Sequence, residues 1–219
     1  MSGVSKHYGN PERPVLRDLN LDIAAGERLV IIGRSGSGKS TLLNLLGALD
    51  RPSAGEIRYR GQRLDTLDES RLAAFRRREI GFVFQAFNLV PTLTVLENLL
   101  LPAELNGLPR RTAAARCQRL LAEAGLAELA ARYPDELAGG EQQRVAVLRA
   151  VVHEPSVVIA DEPTGNLDLD NARRTLDLLQ AHSGDRGRSL VMATHSRQVI
   201  GRATRLLEIR DGRLVPAPC

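Results

Sequence analysis

The period of apolar and polar positions changes several times along the chain. Leu19 to Ile23 alternates apolar and polar residues, the pattern of a half-buried strand. A turn at Ala25-Gly26-Glu27 follows, and Arg28 to Ile32 is a β-branched-rich run. After the glycine-rich stretch Gly33 to Gly38 the period becomes helical from Ser40 to Leu49, with Leu42, Leu43, Leu45, Leu46 and Leu49 on or near one face. Gly55 to Tyr59 and Ile80 to Gln85 read as strands, and Ser70 to Arg78 as a basic helix between them. From Ala86 to about Val152 strand signals vanish. Helical spacing dominates over Val95–Leu105, Thr112–Ala124 and Glu141–Val152. Strands resume at Val157–Ala160 and Leu190–Ala193, with a helix over Asn171–His182 between them, and Asp211-Gly212 marks a terminal hairpin turn. Strands alternating with helices predict an α/β fold with a mainly parallel sheet. The expected organisation is one unit, a core of residues 1–85 and 156–219 interrupted by a helical insert of residues 86–155.

The 219 residues fit one domain, and the 43% hydrophobic and 26% charged content is ordinary for a soluble protein. Two cysteines, Cys117 and Cys219, suggest no disulfide framework and a reducing compartment. No apolar run approaches the ~20 residues of a bilayer span. Met1 to Asn10 lacks the apolar segment of a signal peptide. The expectation is a cytoplasmic protein that reaches a membrane only by docking onto another chain. The net charge of +4 resides almost wholly in arginines, and Lys6 and Lys39 are the only lysines. Arg76-Arg77-Arg78 can suggest nucleic acid, but no interleaved aromatic platform accompanies it, so a solvated helix face is the reading adopted and no nucleic-acid partner is expected.

The stretch Gly33-Arg34-Ser35-Gly36-Ser37-Gly38-Lys39-Ser40 matches G-x-x-x-x-G-K-[ST] in full, between a strand and a helix. Its glycines let backbone N–H groups converge on phosphate oxygens, and the following helix aims its positive end at the same anion. Lys39 supplies a point charge to the β- and γ-phosphates, Ser40 offers a hydroxyl to Mg²⁺, and Thr41 can add a hydroxyl near the α-phosphate. The strand Val157–Ala160 runs into Asp161-Glu162. Asp161 can hold Mg²⁺, and Glu162 can polarise an attacking water as a general base. Gln85, a neutral amide, can touch Mg²⁺ or that water, or be a surface glutamine. His195 follows a strand and can reach a γ-phosphate, or be a solvated loop histidine. Tyr8 can stack on adenine, or simply pack.

With these residues in view the chain resembles the nucleotide-binding subunit of an ABC (ATP-binding cassette) transporter. The resemblance rests on Tyr8, the phosphate loop, Gln85, Leu137-Ala138-Gly139-Gly140-Glu141-Gln142-Gln143-Arg144, Asp161-Glu162, Asn166-Leu167-Asp168 and His195, in that family's order. It implies a P-loop NTPase with a RecA-like core, an antiparallel β part and a helical subdomain carrying the Leu137–Arg144 signature. It further implies a homodimer in which Ala138, Gly139, Gly140 and Glu141 of one chain cover the γ-phosphate of ATP bound by the other. The implied partners are integral membrane permease subunits, with the chain peripheral on the inner face of the cell membrane. Leu46 to Pro52, Gly81 to Gln85, Glu97-Asn98-Leu99 and Pro163 to Asp168 resemble ATPases of the lipoprotein-releasing and macrolide-export type. They also resemble the cell-division ABC ATPase, which leaves open a regulatory switch that moves no substrate. The chain departs from the family at Ala138, where serine is usual and its hydroxyl would donate to the γ-phosphate. The docking groove implied by the resemblance lies near Gln85 to Leu101. Its apolar residues Phe87, Leu89, Val90, Leu93 and Leu96 can equally be subdomain core.

Overall fold

The computed structural model describes residues 1–183 and 187–217; Cys219 lies outside them. The chain opens with strands β1 (Ser2–Lys6) and β2 (Leu16–Leu19), which pair antiparallel. The alternation read over Leu19 to Ile23 is real as burial, since Leu19 and Leu21 are inside and Asn20 and Asp22 outside. Beyond Leu19 it is not a strand: among the described residues the backbone of Leu21 bonds to Met1 alone, once in each direction. Strand β3 (Arg28–Ile32) then crosses the molecule.

Helix α1 (Lys39–Leu46) starts behind Gly38, whose φ of 102° is open to glycine and costly for any residue with a Cβ. Leu42, Leu43 and Leu45 are buried, at about 1.5–3 kcal/mol each. The helix stops three residues before the expected Leu49. The Asn44 carbonyl takes the N–H groups of Leu49 and Asp50, Ala48 adopts φ 54°, and Leu49 is left exposed. Short strands β4 (Ala54–Glu56), β5 (Arg58–Tyr59) and β6 (Gln62–Arg63) replace the single strand expected over Gly55–Tyr59. β4 joins β2 and β1 in a three-stranded antiparallel sheet, and β5 pairs with β6.

Asp68 caps helix α2 (Glu69–Glu79) by accepting from the Arg71 N–H. Strand β7 (Ile80–Val83) follows and ends two residues before Gln85. The chain is then helical up to residue 156. Helix α3 (Val95–Leu105) opens with a full capping box between Thr94 and Glu97. Helix α4 (Arg110–Glu123) packs on it, and α5 (Gly139–Val151) packs on both. The end of the chain alternates: β8 (Val157–Asp161), α6 (Leu169–His182), β9 (Ser189–Ala193), the short α7 (Arg197–Ile200), β10 (Arg205–Arg210) and β11 (Arg213–Pro216).

The main sheet has the order β11-β10-β3-β9-β8-β7, parallel except for the β10–β11 hairpin. One apolar cluster joins α1 and the antiparallel strands to one face, through Leu42, Leu45, Ile159 and Val191. The other joins α3, α4, α5 and α6 to the opposite face, through Leu99, Leu121, Leu148, Leu176 and Val158. The helical insert is therefore fastened to the sheet by a shared core. Parallel pairing also places the segments after β3, β7, β8 and β9 at one end of the sheet, the end where open α/β sheets take ligands.

Candidate nucleotide-binding site

Four strand ends surround one cleft of about 1030 Å³. Its walls include Ser35, Gly36, Gly38, Lys39, Ser40 and Thr41 from the loop after β3, Gln85 from beyond β7, Asp161 and Glu162 from β8, and His195 from beyond β9. Val15, Phe84, Ala86, Asn88, Thr164, Gly165 and Ser196 complete the lining and were not among the expected site residues. Gly33, Arg34 and Ser37 belong to the same loop without lining the cleft. Gly33 and Arg34 offer their carbonyls to Lys39 Nζ, at 2.9 and 3.3 Å.

The catalytic candidates converge. Glu162 has φ 46°, a costly conformation for a residue with a Cβ, and its N–H bonds back to the Ala193 carbonyl. That turn brings its Oε1 3.4 Å from His195 Nε2 and its Oε2 3.3 Å from the His195 N–H. Lys39 Nζ lies 3.0 Å from the same Nε2. Gln85 Nε2 donates to Asn166 Oδ1 at 3.1 Å, which ties the end of β7 to the loop after β8.

Tyr8 is more than half exposed at 56% and stands at the edge, beside α1. Its phenol donates to Asp50 Oδ2 at 2.7 Å and meets the Thr41 hydroxyl, and Lys6 Nζ sits 4.8 Å from the ring centre. Partial burial, with Asp50 next in effect, raises the phenol's pKa. Burial would raise the Asp50 carboxyl too, but hydrogen bonds from Lys6, Tyr8 and the Arg51 N–H outweigh it and hold it below the usual range. Tyr8 is thus a held ring with a free face.

Ala138, Gly139, Gly140 and Glu141 do not line this cleft. They form the start of α5, with Ala138 and Gly139 exposed, Glu141 half-buried and Gly140 buried, and the Ala138 N–H donates to Glu141 Oε2 at 2.9 Å. Lacking a hydroxyl, Ala138 contributes no side-chain cap.

The family profile for ABC transporters matches residues 16–165. A lipoprotein-releasing system ATP-binding protein, LolD, of Syntrophus aciditrophicus is 46% identical over 92% of this chain and 90% of its own. An ABC transporter ATP-binding protein of Mycobacterium tuberculosis is 46% identical over 95% of this chain and 84% of its own. The chain belongs to the ABC transporter family. The macrolide export ATP-binding/permease protein MacB of Nitrosomonas europaea is 43% identical over 98% of this cassette, which spans 33% of that longer protein. Among solved structures, the dimeric bacterial ABC transporter cassette MJ0796 superposes with a TM-score of 0.90 at 36% identity, covering all of this chain and 98% of that one. The same cassette in a post-hydrolysis dimer with ADP and Pi superposes at 0.88.

This chain is an ATPase cassette. Two residues to which the sequence assigned no role organise its site, Gln143 within the signature and Arg149 beyond it. Buried Gln143 on α5 donates through Nε2 to the carbonyls of Pro163 at 2.7 Å and Phe84 at 3.4 Å, pinning the signature helix to the segments after β8 and β7. Arg149 donates to the Asn88 and Phe87 carbonyls and so holds the segment that follows Gln85. Both looked like ordinary polar positions of a helix.

Of the basic run, Arg78 is exposed and pairs with Glu79, whereas Arg76 is half-buried, pairs with Glu69 and donates to the Ala48 carbonyl, so only part of this face is solvated. The groove residues Phe87, Leu89, Val90, Leu93 and Leu96 are all half-buried, and Leu89 and Leu96 pack on the core.

Proposed function

We propose that this cassette binds MgATP between two copies of itself and that hydrolysis drives partner permease subunits at the inner face of a membrane. The observation that carries the reading is the convergence of Lys39, Ser40, Asp161, Glu162 and His195 on one cleft. In this reading the loop after β3 wraps the phosphates with its N–H groups, Lys39 exchanges its carbonyl partners for phosphate oxygens, and Tyr8 stacks on the base. Glu162 accepts a proton from the attacking water, and His195 fixes that carboxylate and reaches the γ-phosphate.

The residues fit a magnesium ion shared with the nucleotide. Among the described residues no cluster of His, Cys, Asp and Glu could enclose a metal alone. Instead Ser40, Asp161 and Gln85 present few oxygens, which suits an ion that keeps its waters and phosphate ligands. When bound, Mg²⁺ supplies neutralisation of phosphate charge.

Residues 138–141 do not line their own cleft, and in this reading a second copy brings Ala138 to Glu141 onto the γ-phosphate. The relative MJ0796 forms a dimer, in one structure with ADP and Pi bound, which supports the pairing of two copies. In this reading residues 86–155 form the unit that meets the permease, and residues 1–85 and 156–219 the nucleotide core. No helix among the described residues is long and apolar enough to cross a membrane, so attachment goes through the partner. The LolD and MacB relatives support lipoprotein release or export as the work done.

The test is affinity purification of a tagged Glu162→Gln chain from membranes with ATP. Recovery of an integral membrane protein in ATP-dependent stoichiometry supports the reading. A chain that turns over ATP but co-purifies with none overturns the transporter part.

A further inference from the structure

Asn171, the third residue of α6, does not line the nucleotide cleft. Its backbone N–H donates to Asp168 Oδ1 at 2.8 Å and its Nδ2 to Asp168 Oδ2 at 2.7 Å. These two bonds, the backbone one first, hold the Asp168 carboxyl below the usual range. A carboxylate only accepts, so the amide is oriented with Nδ2 toward Asp168. Its Oδ1 then faces α5 and accepts from Arg144 Nη1 at 2.9 Å. Arg144 is 8% exposed and its buried Nε has no partner, so among the described residues Asn171 alone accepts from that guanidinium.

The same side chain presses on Gly140. A Cβ built on Gly140 would stand 2.4 Å from both Cγ and Oδ1 of Asn171, so only glycine permits this approach. Gly140 and Arg144 are four residues apart and share one face of α5. One amide therefore grips that helix at its first turn and again one turn further on. Its other end is fastened to Asp168, the cap of α6 and the last residue of the Asn166-Leu167-Asp168 loop.

We propose that Asn171 is a positioning residue that aims the N-terminal amides of α5 by locking the signature helix to the 166–168 loop. The proposal rests on the reading that Gly139 and Gly140 grip the nucleotide of a second copy. Ala138 offers no hydroxyl to that anion, so the direction of the amides sets how firmly the dimer closes. Asn171 adds no atom to the nucleotide's own pocket, so its loss weakens closure and leaves single-chain ATP binding alone.

The experiment measures ATP-dependent dimerisation of the full chain in a Glu162→Gln background by analytical ultracentrifugation, with ATP affinity and thermal midpoint alongside. Asn171→Ala is expected to raise the dimer dissociation constant about tenfold, with ATP affinity unchanged. It also orphans buried Arg144, so Asn171→Ala with Arg144→Met removes both partners; the midpoint should recover while dimerisation stays weak. Unchanged dimerisation in Asn171→Ala overturns the proposal. So does dimerisation that recovers together with the midpoint in the double variant, which would mark a merely structural role. Gly139→Glu places a carboxylate where the anion should sit. If it dimerises like its parent, the underlying reading in trans fails. If it abolishes closure while Asn171→Ala does not, only the Asn171 proposal falls.

Discussion

His195 Nε2 lies 3.0 Å from Lys39 Nζ, across 156 residues of chain. An ammonium can only donate, so in this contact the ring nitrogen is the acceptor. Lys39 thereby has three acceptors, the Gly33 and Arg34 carbonyls and His195, before any phosphate arrives. Glu162 Oε1 stands 3.4 Å from the same nitrogen. Lys39 and Glu162 thus both meet His195, Lys39 at its ring nitrogen and Glu162 at its backbone N–H.

Glu162→Gln should lower kcat by about 10²–10⁴-fold, the usual contribution of a positioned base. It should also leave an ATP-bound dimer that persists on gel filtration. His195→Ala should lower kcat at least about tenfold with a smaller change in KM, because its partners there act on the reacting group. Parental turnover in the Glu162→Gln chain would remove Glu162 from the chemistry.

Ala138→Ser should tighten ATP-dependent dimerisation. A hydroxyl donating to phosphate is worth ~1.5–3 kcal/mol, about 10–150-fold in dimer affinity for each of the two signature contacts of the symmetric dimer. Serine would also complete the cap that the Ala138 N–H and Glu141 already half form, adding about 1 kcal/mol to stability. Equilibrium ultracentrifugation and thermal melting read the two effects separately. A rise in melting temperature with no change in dimerisation would place the residue outside the nucleotide contact.

Tyr8→Ala should weaken ATP binding about tenfold, within the ~1–3 kcal/mol of a base stacked on an aromatic ring. The Asp50 carboxyl that holds Tyr8 has its pKa lowered by folding. It therefore adds stability above the ordinary Asp value of about 3.9, and that stability is lost as pH falls through 3.9 toward the lower folded value. Thermal midpoints between pH 6 and pH 3 should fall less steeply for Asp50→Asn than for the parent. Parallel slopes would mean that the Lys6–Asp50 pair contributes nothing across that range.

Cys117 is buried in α4, and burial pushes its thiol up to about 11. Only about one thiol in a thousand is ionised at pH 8, and the thiolate is the reactive form. In a Cys219→Ser chain, a thiol reagent at pH 8 should label no cysteine natively and one in denaturant. Rapid native labelling would show that α4 opens in solution.

Much of the site was legible because its signals are local. The phosphate loop needs a strand before it and a helix after it, and β3 and α1 supply both. Element ends were less legible. The helix from Lys39 stops at Leu46 because Asn44 turns its carbonyl to Leu49 and Asp50, a choice that leucine spacing cannot reveal. The strand before Gln85 ends at Val83, where pairing with β8 stops at Ala160.

The sequence by itself named the candidates for the chemistry, the phosphate loop and Asp161-Glu162, and the resemblance marked Ala138 as a departure. Residue types at fixed short spacings suffice for that, because the backbone geometry of a strand–loop–helix is set locally. What only the folded chain decided is which polar residues work at a distance. Gln143, Arg149 and Asn171 are polar positions of predicted helices, to which spacing alone assigns no partner. They became structural ties only once α5 was laid against the loops after β7 and β8 and against α6. Burial and the partners it demands are properties of packing, and no window of sequence contains both sides of a contact.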